Sequence, residues 1–264
     1  MTESSHRTTS RVLDIMELVA KHPSGLSLAD ISRSLGIPKS SLHPLVMTLS
    51  ERKYLHYNNR EERYYLGESL FVYGNKYING IDLLEEIKAI LLASNQASGE
   101  TLYFGVLSGL DVLYLAKADL HSKFRVVSDP GNKLPAYSTG YGKALLSQFS
   151  RSQIESFYPA GTLASVTANT LKSVGELNDQ LDVVRRTGFA YEKGESTDGI
   201  QCIGTTIVVD GEVLAGISLA VPQFRYTQER EQFFKQLLID TKAKLERTIA
   251  NHKDQWIYSG RQTE

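Results

Sequence analysis

Residues 38–43 read Pro-Lys-Ser-Ser-Leu-His, which puts a cation, two hydroxyls and an imidazole at the start of a helix. That is chemistry suited to nucleic acid. A recognition helix shows small polar and basic side chains at its N-terminal end, where base edges and phosphates lie. The N–H groups of the same end can meet a phosphate directly. Lys39, Ser40, Ser41 and His43 are the reading candidates. Arg11, Ser27 and Lys53 are candidates for contacts to the DNA backbone, and Arg60 and Arg63 for a neighbouring groove. The plainer alternative is a helical hairpin used for protein contact, with an ordinary solvated polar face. Pro44 is an awkward neighbour, because a helix holds a residue without an N–H easily only in its first turn.

Two later stretches could bind a small molecule. Ser138-Thr139-Gly140-Tyr141-Gly142-Lys143 opens a helix after a strand-like approach, and its glycines let backbone N–H groups point at an anion. A plain helix start is the bland reading. Gly188–Gly204 runs from an acidic loop into a strand bearing the single cysteine, Cys202. Glu192 or Glu195 could accept from a ligand hydroxyl or hold a basic group. Cys202 could be a nucleophile, but only His121 and His252 belong to this part of the chain, and neither is near it in sequence. A buried, inert thiol is the favoured reading. No zinc spacing, P-loop, GxSxG or dinucleotide fingerprint occurs. Neither a metal nor a cofactor is expected, and the chain is not read as an enzyme.

The elements that must carry these residues follow from periodicity. Val12, Ile15, Met16 and Val19 recur at helical spacing between Arg11 and His22, with Ser10 as cap. Ser27 caps a short helix with Asp30 three residues on, as in a capping box. Gly36 supplies the turn, and Leu42, Leu45, Val46 and Leu49 form the buried side of the next helix. Tyr54–Tyr57 and Arg63–Leu66 flank the turn Asn58-Asn59-Arg60-Glu61, a hairpin of wing length. The result is a winged helix-turn-helix over 1–66. Gly67–Tyr77 and Ile81–Ala97 read as linker and domain-entry helices. Strands then dominate, with helices at Gly142–Gln148, Ser152–Tyr158, Val174–Thr187 and Thr227–Asn251. A larger domain over 98–251 and a tail over 252–264 complete the chain. Strands and helices are interspersed without strict alternation, which predicts an α+β fold.

The bulk numbers are permissive. The chain has 264 residues, 41% hydrophobic and 22% charged, as ordinary globular proteins do. Residues 1–66 carry 9 Lys and Arg against 7 Asp and Glu, and the rest carries 20 against 23. So mild an asymmetry requires placed basic residues, and dimerisation, for any affinity for double-stranded DNA. The N-terminus has no apolar core, and no apolar run approaches the ~18–20 residues that span a bilayer. A cytoplasmic protein without membrane contact is expected.

Taken in order, four motifs resemble the IclR family of bacterial transcriptional regulators. They are Gly25–Ile31 with Pro38–His43, Tyr64-Tyr65-Leu66-Gly67, Thr139–Leu146, and Gly188–Gly204 followed by Gly216-Ile217-Ser218-Leu219. The match runs from about Thr8 to Asn251. The resemblance implies a GAF/profilin-like effector domain with a curved antiparallel sheet, dimers through the DNA-binding domains, and dimers of dimers. It also implies a small, often carboxylate-bearing effector, met by the backbone of Gly140 and Tyr141, with Glu192, Cys202 and Ser218 lining the rest. Three positions depart from the family pattern. Glu192 stands where aspartate is common, Ala220 where a second serine is common, and Pro44 where arginine is common. The function expected is that of a regulator reading a roughly palindromic operator, a repressor of a catabolic operon. The alternatives are an activator of the same architecture, a pure interaction module, and a thiol enzyme using Cys202.

Overall fold

A computed structural model describes residues 6–79, 82–119, 129–253 and 256. His121, Ile81, Gly80 and most of the expected 252–264 tail lie outside the described residues. The chain separates into two compact units, Met1–Gly80 and Ile81–Glu264. The segment expected to link them is divided between the two. Its first helix belongs to the first unit and its second to the second.

The first unit contains α1 (Arg7–Ala20), α2 (Leu28–Leu35), α3 (Lys39–Glu51), β1 (Leu55–Asn58), β2 (Arg63–Leu66) and α4 (Glu68–Asn79). Helix α1 begins three residues before Ser10, the expected cap; its N-cap is His6, which makes no capping bond from its side chain. No glycine or proline stands among Arg7, Thr8 and Thr9, so nothing halts the helix at Ser10. Ile15 and Val19 from α1 enter one core with Ile31, Leu42, Val46, Leu49, Leu55 and Tyr64. Ser27 and Asp30 form a reciprocal capping box at the start of α2, and Gly36 ends that helix with a left-handed φ of 63°. Strands β1 and β2 pair from Leu55↔Leu66 to Asn58↔Arg63. Leu26 adds a bridge to Tyr64, so the hairpin is joined to the chain entering α2. A side chain at Gly67 would place its Cβ 2.1 Å from the Lys53 carbonyl oxygen. Only glycine permits that approach.

The second unit contains α5 (Asp82–Ser98), β3 (Thr101–Ser108), β4 (Asp111–Ala118), β5 (Lys133–Pro135), α6 (Gly140–Leu146), α7 (Arg151–Phe157), α8 (Val174–Thr187), β6 (Ala190–Lys193), β7 (Ile200–Val209), β8 (Glu212–Pro222) and α9 (Gln228–Asn251). The strands form one antiparallel sheet in the order β5-β4-β3-β8-β7-β6. Strand β5 is the strand-like approach expected before Ser138, although only three residues long, whereas β6 was not expected as a strand and lies inside the segment read as an acidic loop. Apolar side chains of α5 and α9 pack on one face, against Leu102, Phe104, Ile203, Ile217 and Leu219. The alternate residues face α6, α7 and α8. The fold is α+β, as the interspersed pattern predicts.

Helix α6 lies against the sheet because three adjacent strands supply glycines under it. A Cβ at Gly204 would stand 2.6 Å from the Tyr141 nitrogen, one at Gly216 3.0 Å from the Tyr141 Cβ, and one at Gly105 2.7 Å from the Tyr141 hydroxyl. These distances are shorter than van der Waals contact, so backbone and ring fill the space that side chains would take. The expected effect of Gly204→Ala is a loss of about 1–3 kcal/mol in stability, from overpacking against backbone that cannot yield. Chemical denaturation of the full chain measures it, and a variant as stable as the parent would show that α6 can lift off the sheet freely.

Candidate DNA interface and ligand site

Helix α3 follows Pro38, which supplies no side-chain cap. The Ser41 and Leu42 N–H groups reach back to the Pro38 carbonyl at 2.9 and 3.0 Å, while those of Lys39 and Ser40 precede the helix's own hydrogen bonds. The side chains of Lys39, Ser40, Ser41 and His43 are all exposed, and Leu42, Val46 and Leu49 turn inward. A polar, donor-rich helix end therefore faces outward on a firmly packed base. Pro44 is the sixth helical residue and not part of the first turn. It is exposed, so its ring meets solvent, and the helix continues through it to Glu51. The hydrogen bond lost is the one that would have ended on the Ser40 carbonyl.

The other DNA-side candidates occupy different settings. Arg60 is exposed in the hairpin loop, whose backbone is set by the Arg60 N–H donating to Asn58 Oδ1 at 3.0 Å. Arg63 instead donates to the Gly25 carbonyl at 2.8 Å, which ties the hairpin to the chain before α2. Lys53 pairs with Glu68 at 2.5 Å. The Ser27 hydroxyl donates to Asp30 at 2.7 Å within the capping box. Arg11 lies half-buried on α1. Arg63, Lys53 and Ser27 thus each hold the unit together through a bond that a phosphate would have to share or replace.

In the second unit, the five ligand candidates meet on the α6 face of the sheet. Glu192 pairs with Cys202, which pairs with Ala220, which pairs with Thr101. In the next row, Ala190, Gly204, Ser218 and Tyr103 lie side by side. The start of α6 stands over both rows, since a Cβ at Gly140 would be 3.0 Å from the Cys202 Cβ. The Thr139 hydroxyl caps α6 by accepting from Gly142 at 3.2 Å. Among the described residues, the N–H groups of Gly140 and Tyr141 make no such bond.

Glu192 does not present its whole carboxylate to that space. Its Oε1 accepts the backbone N–H groups of Glu195 and, at 3.0 Å, Ser196, so it holds the turn after β6. Its Oε2 is buried without a hydrogen-bond partner. Burial raises the Glu192 carboxyl above its ordinary value, against the opposing pull of Cys202 and the two backbone donors. Burial likewise pushes the Cys202 thiol well up, and Glu192 beside it adds to the shift.

Beside this patch Glu195, read from the sequence as able to hold a basic group, pairs with Lys143, whose part sequence reasoning missed. Lys143 is fully buried, and its Nζ donates to Glu195 Oε1 at 2.7 Å, Gln180 Oε1 at 2.6 Å and the Tyr191 carbonyl at 2.8 Å. All three ammonium donors are used. Burial lowers the Lys143 pKa, against the opposing pull of Glu195. The same turn is held from another side: Thr170 donates to the Glu195 carbonyl at 2.7 Å, and Thr167 to the Gly194 carbonyl at 2.6 Å. The available signal was the lysine inside Tyr-Gly-Lys-Ala-Leu-Leu, a run otherwise too apolar for an exposed helix.

Lys143→Met is expected to destabilise the protein by about 3–5 kcal/mol, because it leaves a buried carboxylate without its cation. Adding Glu195→Gln should recover part of that loss. Urea melts of both variants check it, and a double variant no better than the single would remove the ion pair as the cause.

The family model for the bacterial transcriptional regulator IclR C-terminal region matches residues 75–247, and that for the IclR helix-turn-helix domain matches residues 8–59. The chain is 29% identical over 249 residues to the HTH-type transcriptional regulator BhcR of Paracoccus denitrificans, covering 94% of this chain and 89% of that one. It is 27% identical over 227 residues to the acetate operon repressor of Salmonella typhimurium, covering 85% and 83%. The fold is shared with an IclR transcriptional regulator from Alicyclobacillus acidocaldarius, with a TM-score of 0.80 at 21% identity over 93% of this chain and 99% of that one. It is also shared with an IclR homologue from Microbacterium hydrocarbonoxydans crystallised with 4-hydroxybenzoate, with a TM-score of 0.79 at 19% identity over 92% and 99%. With one family model covering more than half of its length and a second covering the helix-turn-helix, the chain belongs to the IclR family of bacterial transcriptional regulators.

Proposed function

We propose that this regulator is a sequence-specific, cytoplasmic DNA-binding repressor of a catabolic operon, controlled by a small carboxylate metabolite. The observation that carries the DNA reading is the exposed start of α3. Lys39, Ser40, Ser41 and His43 stand outward where the N–H groups of Lys39 and Ser40 precede the helix's own hydrogen bonds. Arg60 in the hairpin loop supports a second, sequence-independent contact. A two-fold dimer would read a roughly palindromic site, and a dimer of dimers would read two such sites.

The metabolite reading rests on the α6 face of the sheet. Two buried backbone N–H groups, at Gly140 and Tyr141, suit a carboxylate, and Glu192 Oε2, Cys202 and Ser218 lie around them. The named acetate operon repressor supports the repressor sign, and the 4-hydroxybenzoate bound by a relative is itself a carboxylate. Ala220, where the family often carries serine, removes one hydroxyl from the patch, which favours a less polar ligand. The effector acts by binding one arrangement of the DNA-binding domains more tightly than the other. The thiol-enzyme reading is disfavoured by the burial of Cys202 and the upward shift of its pKa.

Gel shifts on the chain's own upstream DNA, at two salt concentrations and with a panel of small carboxylic acids, test the whole reading. Specific binding that one acid weakens is expected. Lys39→Ala with Ser41→Ala should cost at least about tenfold in operator affinity, and Arg60→Ala should lower the slope of log affinity against log salt by about 1. An unchanged affinity in the folded double variant would remove α3 as the reading helix. Cys202 should alkylate slowly in the native protein between neutral pH and its ordinary value of 9.0, because its raised pKa keeps the thiol protonated across that range. Fast native alkylation at neutral pH would reopen the enzyme reading.

A further inference from the structure

A cleft of about 470 Å³ runs along the outer edge of β6, between the second half of α8 and the start of α9. That is a volume typical of small-molecule sites. Its strand residues Tyr191, Lys193 and Gln201 alternate with Glu192 and Cys202, so they point to the opposite side of the sheet from the α6-face patch. One wall is apolar, formed by Val183, Val184 and Phe189.

The polar groups of the cleft are unequally engaged. Lys143 has spent all three donors. Glu231 is held by Lys235 at 2.7 Å and by the Tyr191 hydroxyl at 2.9 Å. Two groups remain. Glu195 is 4% exposed, and its Oε2 is buried without a hydrogen-bond partner. Lys193 is exposed and makes no ion pair among the described residues. A buried carboxylate oxygen with no donor is costly, and a turn of the Glu195 carboxyl into the cleft it lines would let a ligand N–H satisfy it. A nearby free ammonium favours an anion, and the wall favours an apolar body.

We propose that this cleft is a second ligand site, which takes a small zwitterion with an apolar side chain, of the α-amino-acid type. The Glu195 carboxyl turns into the cleft so that its Oε2 accepts from the ligand's ammonium group, the ligand's carboxylate meets Lys193, and its side chain lies on Val183, Val184 and Phe189. Lys143 joins this site to the α6 face, because it stands three residues after Gly140 on the same helix and shares Glu195 with the ligand. The site requires neither DNA binding nor an effector on that face.

Calorimetric titration of the full chain with L-phenylalanine, 3-phenylpropionate and 2-phenylethylamine tests it. L-Phenylalanine should bind. The two analogues, each lacking one charged group, should bind at least about tenfold more weakly, as expected when a charge-assisted hydrogen bond or its partner is lost. Lys193→Ala, and separately Val183→Trp from its half-exposed position on α8, should weaken L-phenylalanine binding to the same degree. Three results would overturn the proposal: no binding of L-phenylalanine up to roughly 10 mM, binding of 3-phenylpropionate as tight as that of L-phenylalanine, or affinity untouched by both substitutions.

Discussion

The second unit depends on how closely Tyr141 can approach the sheet. Its backbone and ring occupy the places where Gly105, Gly204 and Gly216 have no side chains, on three neighbouring strands. That approach brings the start of α6 onto Cys202 and aligns Lys143 with the end of β6. A helix set at the usual distance from a sheet would reach neither. The glycines are thus a geometric condition for the ligand patch, and the buried ion pair follows from the same condition.

The ion pair in turn organises the turn after β6. Lys143 from α6 and the Thr167–Thr170 turn converge on residues 191–195, while Glu192 closes the turn from within. Buried charge of this kind contributes less to stability than its geometry suggests, because desolvation offsets much of the attraction. Its use here is to hold one conformation of the segment on which both candidate sites depend. A lysine with three fixed acceptors leaves that segment few alternatives.

Much of this was readable in the sequence, and the failures have physical causes. Helix periods, the Ser27 cap and the Gly36 turn are local signals, and the corresponding elements lie where those signals put them. The start of α1 was misplaced because a serine is a permissive cap and not an obligatory one. Strand β6 escaped notice because four residues cannot display a period. Arg63 and Lys53 read as free cations, yet their acceptors, the Gly25 carbonyl and Glu68, are set by tertiary contact. Lys143 was the deepest miss, since the apolar run around it hints at burial but cannot name its partners. Its three acceptors come from residues 37 to 52 positions later in the chain.

The two edges of the six-stranded sheet differ in length but share a property. At one end β5 is three residues long and finishes in Pro135, which has no N–H to offer. At the other, β6 is four residues long, and the Tyr191 carbonyl is already taken by a lysine ammonium. Neither edge can template another strand without first losing something. Among the described residues, both edges of the sheet thus discourage the addition of a further strand.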